Sequence, residues 1–283
     1  RFSIDCELDA GRILYKEKPA ARSLGIGHFE PLRHYAEVQL LIEPRPAGSG
    51  LSFDVHLPPN ALDLNWQRLI LFNLYEKVHR GTLTGAMLTD AKITLVAARA
   101  HLKHTEGGDF REATLRAVRQ GLMQSGCILL EPYYKFRIDL PSSFVGRAMS
   151  DLQMRAATFE VESATDERTV ITGRAPVATL HDYPRELISY TRGEGHISCT
   201  SDGYEPCHNQ EEVVAAANYD PVADTENTPH SVFCEHGAGV VVPWNEVEAW
   251  KHIEADVSLT ESASNILPAP RKLANKYQLS DDE

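Results

Sequence analysis

The sequence predicts an α+β protein of two domains, a β-β-α-β-α mixed α/β domain followed by a ferredoxin-like β-α-β-β-α-β sandwich. The chain has 283 residues, which is long enough for two separate cores. Strand-like alternation and helix-like periodicity follow one another twice along it. Between the two series, residues 129–141 alternate polar and apolar side chains until a proline ends the strand. We place the domain boundary in this stretch.

The first domain is predicted to span residues 12–129. A turn at 44–50, rich in Pro, Gly and Ser, separates two apolar runs, which we expect to pair as a hairpin. Asp63 is the expected N-cap of the first helix, and Asp109 that of the second. The predicted elements, in order, are strands at 32–43 and 51–57, a helix from 64 to about 81, a strand at 90–98, a polar loop at 101–108 and a helix at 109–125.

The second domain is predicted to span residues 130–257, with a ferredoxin-like core at 130–202 and a C-terminal extension. The core follows the order strand, helix, strand, strand, helix, strand. Its predicted elements are strands at 131–140, 158–163, 169–176 and 195–201 and helices at 142–155 and 180–191. One short helix is expected at 211–217, and residues 258–283 form a polar tail.

The two ends of the sequence predict that the chain is a piece of a longer protein. It starts at Arg1 rather than at a methionine, and no basic segment followed by an apolar one opens it. Residues 2–8, FSIDCEL, already have the composition of a strand. We therefore expect residues 1–11 to be the end of an upstream domain.

Composition and charge limit the possible partners. No run approaches the roughly 18 apolar residues of a membrane span, so no membrane partner is expected. Five widely spaced cysteines predict reduced thiols and a cytoplasmic location. The net charge of −12 argues against nucleic acid, but residues 12–129 carry 15 Lys and Arg against 11 Asp and Glu. Residues 203–258 carry one basic residue against 11 acidic ones.

An ordered set of short motifs adds a resemblance to a known family. The set is YKEKP at 15–19, GHFEPLRHYAEVQLLIEP at 27–44, GSG at 48–50, TDAK at 89–92 and LLEP at 129–132. In this order they resemble the fourth and fifth domains of elongation factor G. The spacing is similar to the branch of ribosomal protection proteins that confer tetracycline resistance. The resemblance covers about residues 2–202.

This resemblance implies a site that binds the small-subunit ribosomal RNA. In the family, two loops at one tip of the fourth domain reach the decoding centre. Small residues allow close backbone approach, and Lys and His side chains suit phosphates and bases. The matching positions, which we expect to lie together, are Gly48, Ser49 and Gly50 in one loop and His101, Leu102, Lys103, His104 and Thr105 in the other.

The resemblance also implies that the chain performs no chemistry of its own. No G-x-x-x-x-G-K-[ST] motif occurs, so the sequence has no phosphate-binding loop for GTP. We therefore expect no cofactor and no catalytic residue here. GTP and Mg²⁺ would belong to the longer parent, in GTPase domains upstream of this chain. The expected partners are the ribosome and those domains, and we expect a monomer.

A metal or protein-binding module centred on residues 203–258, standing alone, is the alternative. Cys207, His208, Cys234 and His236 are four ligand types that suit tetrahedral zinc, although adjacent Cys and His is not the usual spacing. Cys234 and His236 are also two residues apart, as in a nucleophile and its base on one face of a strand. No third residue that would orient such a pair is identifiable from the sequence.

Overall fold

The computed structural model describes residues 11–58 and 60–255, which fall into two compact units. One unit contains residues 16–129 and 209–255, and the other contains residues 11–15 and 130–208. Residues 1–10 of the predicted upstream segment and the predicted tail at 258–283 lie outside the described residues. No helix in the described part of the chain is long and apolar enough to cross a membrane.

The first unit contains eight strands and four helices among the described residues. The strands are β1 (Lys16–Pro19), β2 (Ser23–Phe29), β3 (Ala36–Pro44), β4 (Leu51–Val55), β5 (Met87–Leu88), β6 (Ala91–Ala100), β11 (Ser231–Glu235) and β12 (Ala238–Val242). The helices are α1 (Leu64–Glu76), α2 (Gly107–Ser125), α6 (Gln210–Ala217) and α7 (Val247–Trp250). The Asp63 carboxylate accepts a hydrogen bond from the Asn65 amide at 2.8 Å, so the predicted cap of α1 is present.

The main sheet of this unit has the strand order β12-β11-β2-β3-β6-β4. β3 is antiparallel to both β2 and β6, while β4 is parallel to β6. The predicted hairpin between β3 and β4 is therefore wrong, because β6 lies between them. Seven of the nine residues of β3 are buried, so this strand needs a partner on each edge. The order β-β-α-β-α is present, and β1, β2 and β5 are added to it.

Residues 209–255 complete this sheet rather than extending the second unit. β11 pairs in parallel with β2 through Val232 and Phe29. A small core forms around this junction from Ile26, Phe233, Val242 and Val247. The prediction that residues 203–257 extend the second domain differs from this arrangement. Residues 209–255 do not form a module that stands alone, since β11 pairs with β2 and β12 pairs with β11.

The second unit is a ferredoxin-like sandwich, as predicted. The elements are β7 (Cys127–Pro141), α3 (Val145–Met154), β8 (Thr158–Ala164), β9 (Arg168–Pro176), α4 (Val177–Leu180), α5 (Tyr183–Tyr190) and β10 (His196–Pro206). The antiparallel strands have the order β8-β9-β7-β10. The alternation at residues 129–141 buries Phe136, Ile138 and Leu140 against the helices.

Candidate functional site

The two loops that the sequence placed together lie at opposite ends of β6. The loop after β3 returns beside the first residues of β6, where Leu51 pairs with Ala91. The other loop follows the last residue of β6, Ala100. Ten residues at about 3.3 Å each separate the two ends by roughly 30 Å. The expectation of one tip formed by residues 48–50 and 101–105 is therefore wrong, because β3 and β6 are antiparallel.

The loop at residues 45–50 is a compact turn held by Asp90. The Asp90 side chain accepts a hydrogen bond from the Gly50 amide at 3.0 Å, and its carbonyl accepts one from the Arg45 amide at 2.7 Å. Gly48 and Gly50 have φ angles of +78° and +65°, which favour glycine. Ser49 donates to the carbonyl of Pro46. The glycines here serve the turn itself.

At the other end of β6, the turn between β2 and β3 meets the loop at 101–105. Ala36 pairs with Phe29 on one side and with Ala100 on the other, so both connections leave the sheet at the same end. We call this end, formed by residues 30–35 and 99–105, the tip surface. It contains all five candidate residues of the second loop and none of the first.

Hydrogen bonds fix the loop of the tip surface to the turn. The Thr105 hydroxyl donates to the carbonyl of Tyr35 at 2.6 Å and accepts from the His101 amide at 2.6 Å. The His101 carbonyl accepts hydrogen bonds from the amides of His104 and Thr105. The rings of His101 and His104 stack with centroids 4.4 Å apart. Thr105 thus has a positioning role, while the two histidines share one face.

The first turn of α2 anchors the turn at residues 30–35 as well. The N-cap of α2 is Glu106, so the prediction of Asp109 as the cap is wrong. Asp109, three residues later, accepts a hydrogen bond from the Glu106 amide at 2.8 Å, which forms a capping box at the start of the helix. Its other oxygen lies 2.9 Å from Nδ1 of His34. The position of the tip surface therefore depends on where α2 begins.

The tip surface presents basic side chains and imidazole rings to solvent. Leu102 is fully exposed, and Leu32 is 65% exposed. The exposed cations are Arg33, Arg99 and Lys103, and His101 and His104 are exposed beside them. Tyr35, Arg99, Lys103 and His252, together with the acidic Glu30, line a cleft of about 590 Å³. The cations can pair with phosphates, and the rings can stack on bases.

A buried polar network supports the tip surface from below. His28 and Glu37 are completely buried, and His28 Nδ1 lies 2.9 Å from Oε2 of Glu37. The other ring nitrogen lies 3.0 Å from Glu30. Glu37 also accepts hydrogen bonds from Gln39 and from the amides of His252 and Ile253.

Burial and hydrogen bonds shift the pKa values of this network. Burial alone would raise the pKa of Glu37, but the hydrogen bonds from His28, the His252 amide and Gln39 outweigh it and lower the value. Burial, with the nearby His28 as the next cause, lowers the pKa of His252. Burial also raises the pKa of Tyr35, followed by the charge of Glu37. The network keeps one carboxylate charged beneath a neutral tyrosine.

The four residues proposed as a zinc site do not converge on one point. Cys234 and His236 lie at the turn between β11 and β12, in the first unit. Cys207 and His208 lie in the second unit beside Glu131. Among the described residues, no group with converging ligand atoms contains Cys234 or His236. The four residues of this alternative therefore share no common site among the described residues, and Cys207 and His208 lie beside Glu131 instead.

Sequence reasoning missed the half of the tip surface that comes from the turn at residues 30–35. Leu32, Arg33, His34 and Arg99 were not among the predicted site residues. The missed signal was strand β2, because a strand at Ser23–Phe29 makes the following turn a hairpin connection with β3. That pairing would have placed Arg33 beside the loop at 101–105.

Comparison with known proteins identifies the class of protein that this fold and surface define. A family model of elongation factor G, domain IV, matches residues 11–126, and a model of the elongation factor G C-terminus matches residues 128–213. Together they cover most of the chain. The chain belongs to the elongation factor G-like family of translation factors and carries its last two domains.

Several of the relatives that it matches are tetracycline resistance proteins. It is 26% identical over 208 residues to the tetracycline resistance protein TetO of Streptococcus pneumoniae, covering 73% of this chain and 32% of that protein. TetO of Campylobacter jejuni gives the same values. TetM of Streptomyces lividans is 28% identical over 196 residues, covering 68% and 30%. The chain thus spans about a third of the length of the curated relatives it matches.

A solved structure supports the fold independently. The crystal structure of a protein from Thermus thermophilus aligns with a TM-score of 0.65 at 22% identity. The alignment covers 75% of this chain and 32% of that one. At this identity the likeness shows the fold.

Proposed function

We propose that this chain binds the ribosome through the tip surface, which contacts the small-subunit ribosomal RNA. The family membership supports a role in translation. The observation that carries the proposal is the convergence of Arg33, Arg99 and Lys103 with two exposed histidines at one end of β6. The chain as a whole has a net charge of −12, so this local cluster of cations contrasts with the acidic character of the whole chain.

The chemistry of the tip surface favours single-stranded or looped RNA. Lys103 and Arg33 are exposed on adjacent segments and suit backbone phosphates. The stacked rings of His101 and His104 present a flat face to an unpaired base. Leu102, which follows His101 in the loop, is fully exposed and can pack on a base or sugar. Contacts of these kinds suit the irregular RNA of a decoding centre.

The opposite end of the domain does not take part in this proposal. The loop at residues 45–50 offers a single cation, Arg45, and its backbone is engaged by Asp90. Gly48, Ser49 and Gly50 were predicted to contact RNA through the same tip. Because they lie at the other end of β6, we propose that they stay out of contact when the tip surface is bound.

The binding and hydrolysis of GTP would belong to other domains of a longer protein. We propose that GTP and Mg²⁺ bind in GTPase domains outside this chain, and that the two domains described here act without chemistry. The protein would act in the cytoplasm as a monomer. The absence of a phosphate-binding loop motif from the printed sequence is consistent with this division.

Co-sedimentation of the full-length protein with ribosomes, in the presence of a non-hydrolysable GTP analogue, tests the proposal. We expect Lys103→Ala combined with His104→Ala to weaken binding by about ten- to a hundredfold, because a phosphate contact and a stacking contact are lost. Arg33→Ala should weaken binding too. Each lost phosphate contact should reduce, by about 1, the slope of the logarithm of the binding constant against the logarithm of the salt concentration.

Ser49→Ala is the matched control, since it removes a polar group from the loop at the other end of β6. It should bind ribosomes as the unchanged protein does. Undiminished binding by the Lys103 and His104 double variant would refute the assignment of the tip surface. A loss of binding with Ser49→Ala would show that the wrong end was chosen.

A further inference from the structure

We propose that Glu131, Cys207 and His208 form a binding site for a divalent metal ion, with zinc as the ion that fits best. The three side chains lie in the second unit, whereas the tip surface belongs to the first, and the proposal does not depend on ribosome binding. Their ligand atoms lie within 4.8 Å of one another. They supply a carboxylate oxygen, a thiolate sulfur and an imidazole nitrogen.

The Glu131 carboxylate is the observation that points to a ligand. This side chain is completely buried, yet only one of its oxygens is hydrogen-bonded. Oε1 accepts from the backbone amide of His208 at 2.8 Å and lies 2.7 Å from its Nδ1. Oε2 is buried and has no hydrogen-bond partner in the described part of the chain. A buried carboxylate oxygen left without a partner is unfavourable, and a cation would compensate it.

The end of β10 brings the two other ligands to this carboxylate. β10 pairs with β7 as far as Pro206 and Leu130, and Glu205 pairs with Glu131 itself. The strand ends at Pro206, and the chain turns at His208. Two consecutive residues in a strand would point to opposite faces. Because the strand has ended, Cys207 and His208 can both approach Glu131.

The set of donors matches zinc better than calcium or magnesium. Zinc accepts thiolate, imidazole and carboxylate ligands at about 2.0–2.3 Å, so neighbouring ligand atoms lie about 3.3–3.6 Å apart. The ligand atoms lie within 4.8 Å of one another, and small rotations of the partly exposed Cys207 and His208 would bring them to this spacing. Magnesium and calcium prefer oxygen ligands throughout. Three protein ligands leave a fourth position for water.

Binding would fix the last residues of β10 to β7. The ion would join Cys207 and His208 to a buried residue of β7, and it would displace the thiol proton of Cys207 into solvent. Oε1 of Glu131 would keep its hydrogen bond from the His208 amide, which holds the carboxylate in place. The second unit would then be more stable with the ion than without it.

Cobalt substitution tests the site directly, with the 283-residue chain stripped of metal. We expect one equivalent of Co²⁺ to produce a thiolate-to-cobalt charge-transfer band, and Zn²⁺ to abolish it at equimolar concentration. Cys207→Ser should remove the band. Cys207→Ser, His208→Ala and Glu131→Gln should each weaken Zn²⁺ binding by at least about a hundredfold, since even indirect partners of metal sites contribute ten- to a hundredfold.

The pair Cys234 and His236 provides a matched control in the same chain. The double variant Cys234→Ser and His236→Ala should retain the cobalt band and the zinc affinity. Circular dichroism without metal shows whether each variant is folded. Absence of a thiolate band in the unchanged chain would overturn the proposal. So would a band that survives Cys207→Ser or disappears with the Cys234 and His236 variant.

Discussion

Replacing Glu37 with alanine is expected to lower the free energy of unfolding by about 3–5 kcal/mol. The variant removes a fully buried carboxylate that accepts hydrogen bonds from His28, Gln39 and the amides of His252 and Ile253. The buried side chains of His28 and Gln39 then lose this acceptor, and the cost of their desolvation is no longer fully offset. Urea unfolding followed by circular dichroism measures the change.

Glu30→Ala is the control, because Glu30 contacts the same histidine but is partly exposed. Its cost should be about 1 kcal/mol or less. Equal losses for the two variants would contradict the view that the buried carboxylate holds this end of the sheet.

Acidification should reduce the difference in the free energy of unfolding between the unchanged chain and Glu37→Ala. The pKa of Glu37 is lowered in the folded state, since its hydrogen bonds outweigh burial. Its contribution to stability is therefore complete above the ordinary pKa of an unfolded carboxylate. That contribution is lost as the pH falls through the lowered value. Unfolding curves at neutral and acidic pH should show this convergence.

Gly27→Ala is expected to destabilise the first domain by about 1–3 kcal/mol, near the upper end of that range. A Cβ at Gly27 would lie 1.9 Å from the carbonyl oxygen of Ala113 and 2.5 Å from the amide of Ala117. Both are backbone atoms of α2, so no side-chain rotation relieves the contact. The helix must move off β2, and the capping box that positions the tip surface moves with it.

Gly108→Ala provides the comparison within α2 itself. A Cβ at Gly108 meets nothing within 4 Å, and alanine favours helix. The free energy of unfolding of the Gly108→Ala variant should be unchanged or higher by up to about 1 kcal/mol. Thermal unfolding of both variants checks the prediction. A Gly27→Ala variant as stable as the unchanged chain would mean that β2 and α2 are not in close backbone contact.

The fold was largely predictable from the sequence because its local signals agree with the final structure. The alternation at residues 129–141 survives as the buried row of Phe136, Ile138 and Leu140. Asp63 caps α1 as expected. Strand pairing was harder to predict, because the apolar runs of β3 and β4 fit a hairpin equally well. Only the later strand β6, inserted between them, decides the order.

The candidate site was predictable only in part, since it is assembled from distant segments. The loop at residues 101–105 was identified, but its partner turn at 30–35 was not. The assignment of residues 48–50 followed from the mistaken hairpin. The Glu131 neighbourhood was missed because Cys207 and His208 were paired by type with Cys234 and His236. Nothing in residue type or spacing shows that a buried glutamate 77 positions earlier accepts a hydrogen bond from His208.

The return of β11 to pair with β2 has a consequence for how the protein is made. The first domain is discontinuous in sequence, since residues 130–208 form the other compact unit between its two parts. During synthesis from the N-terminus, the amides of His252 and Ile253 emerge more than 200 residues after Glu37. The network beneath the tip surface therefore closes last, and pairings of such long sequence separation form slowly. Until residue 253 has left the ribosome that makes it, a nascent chain has an unfinished tip surface.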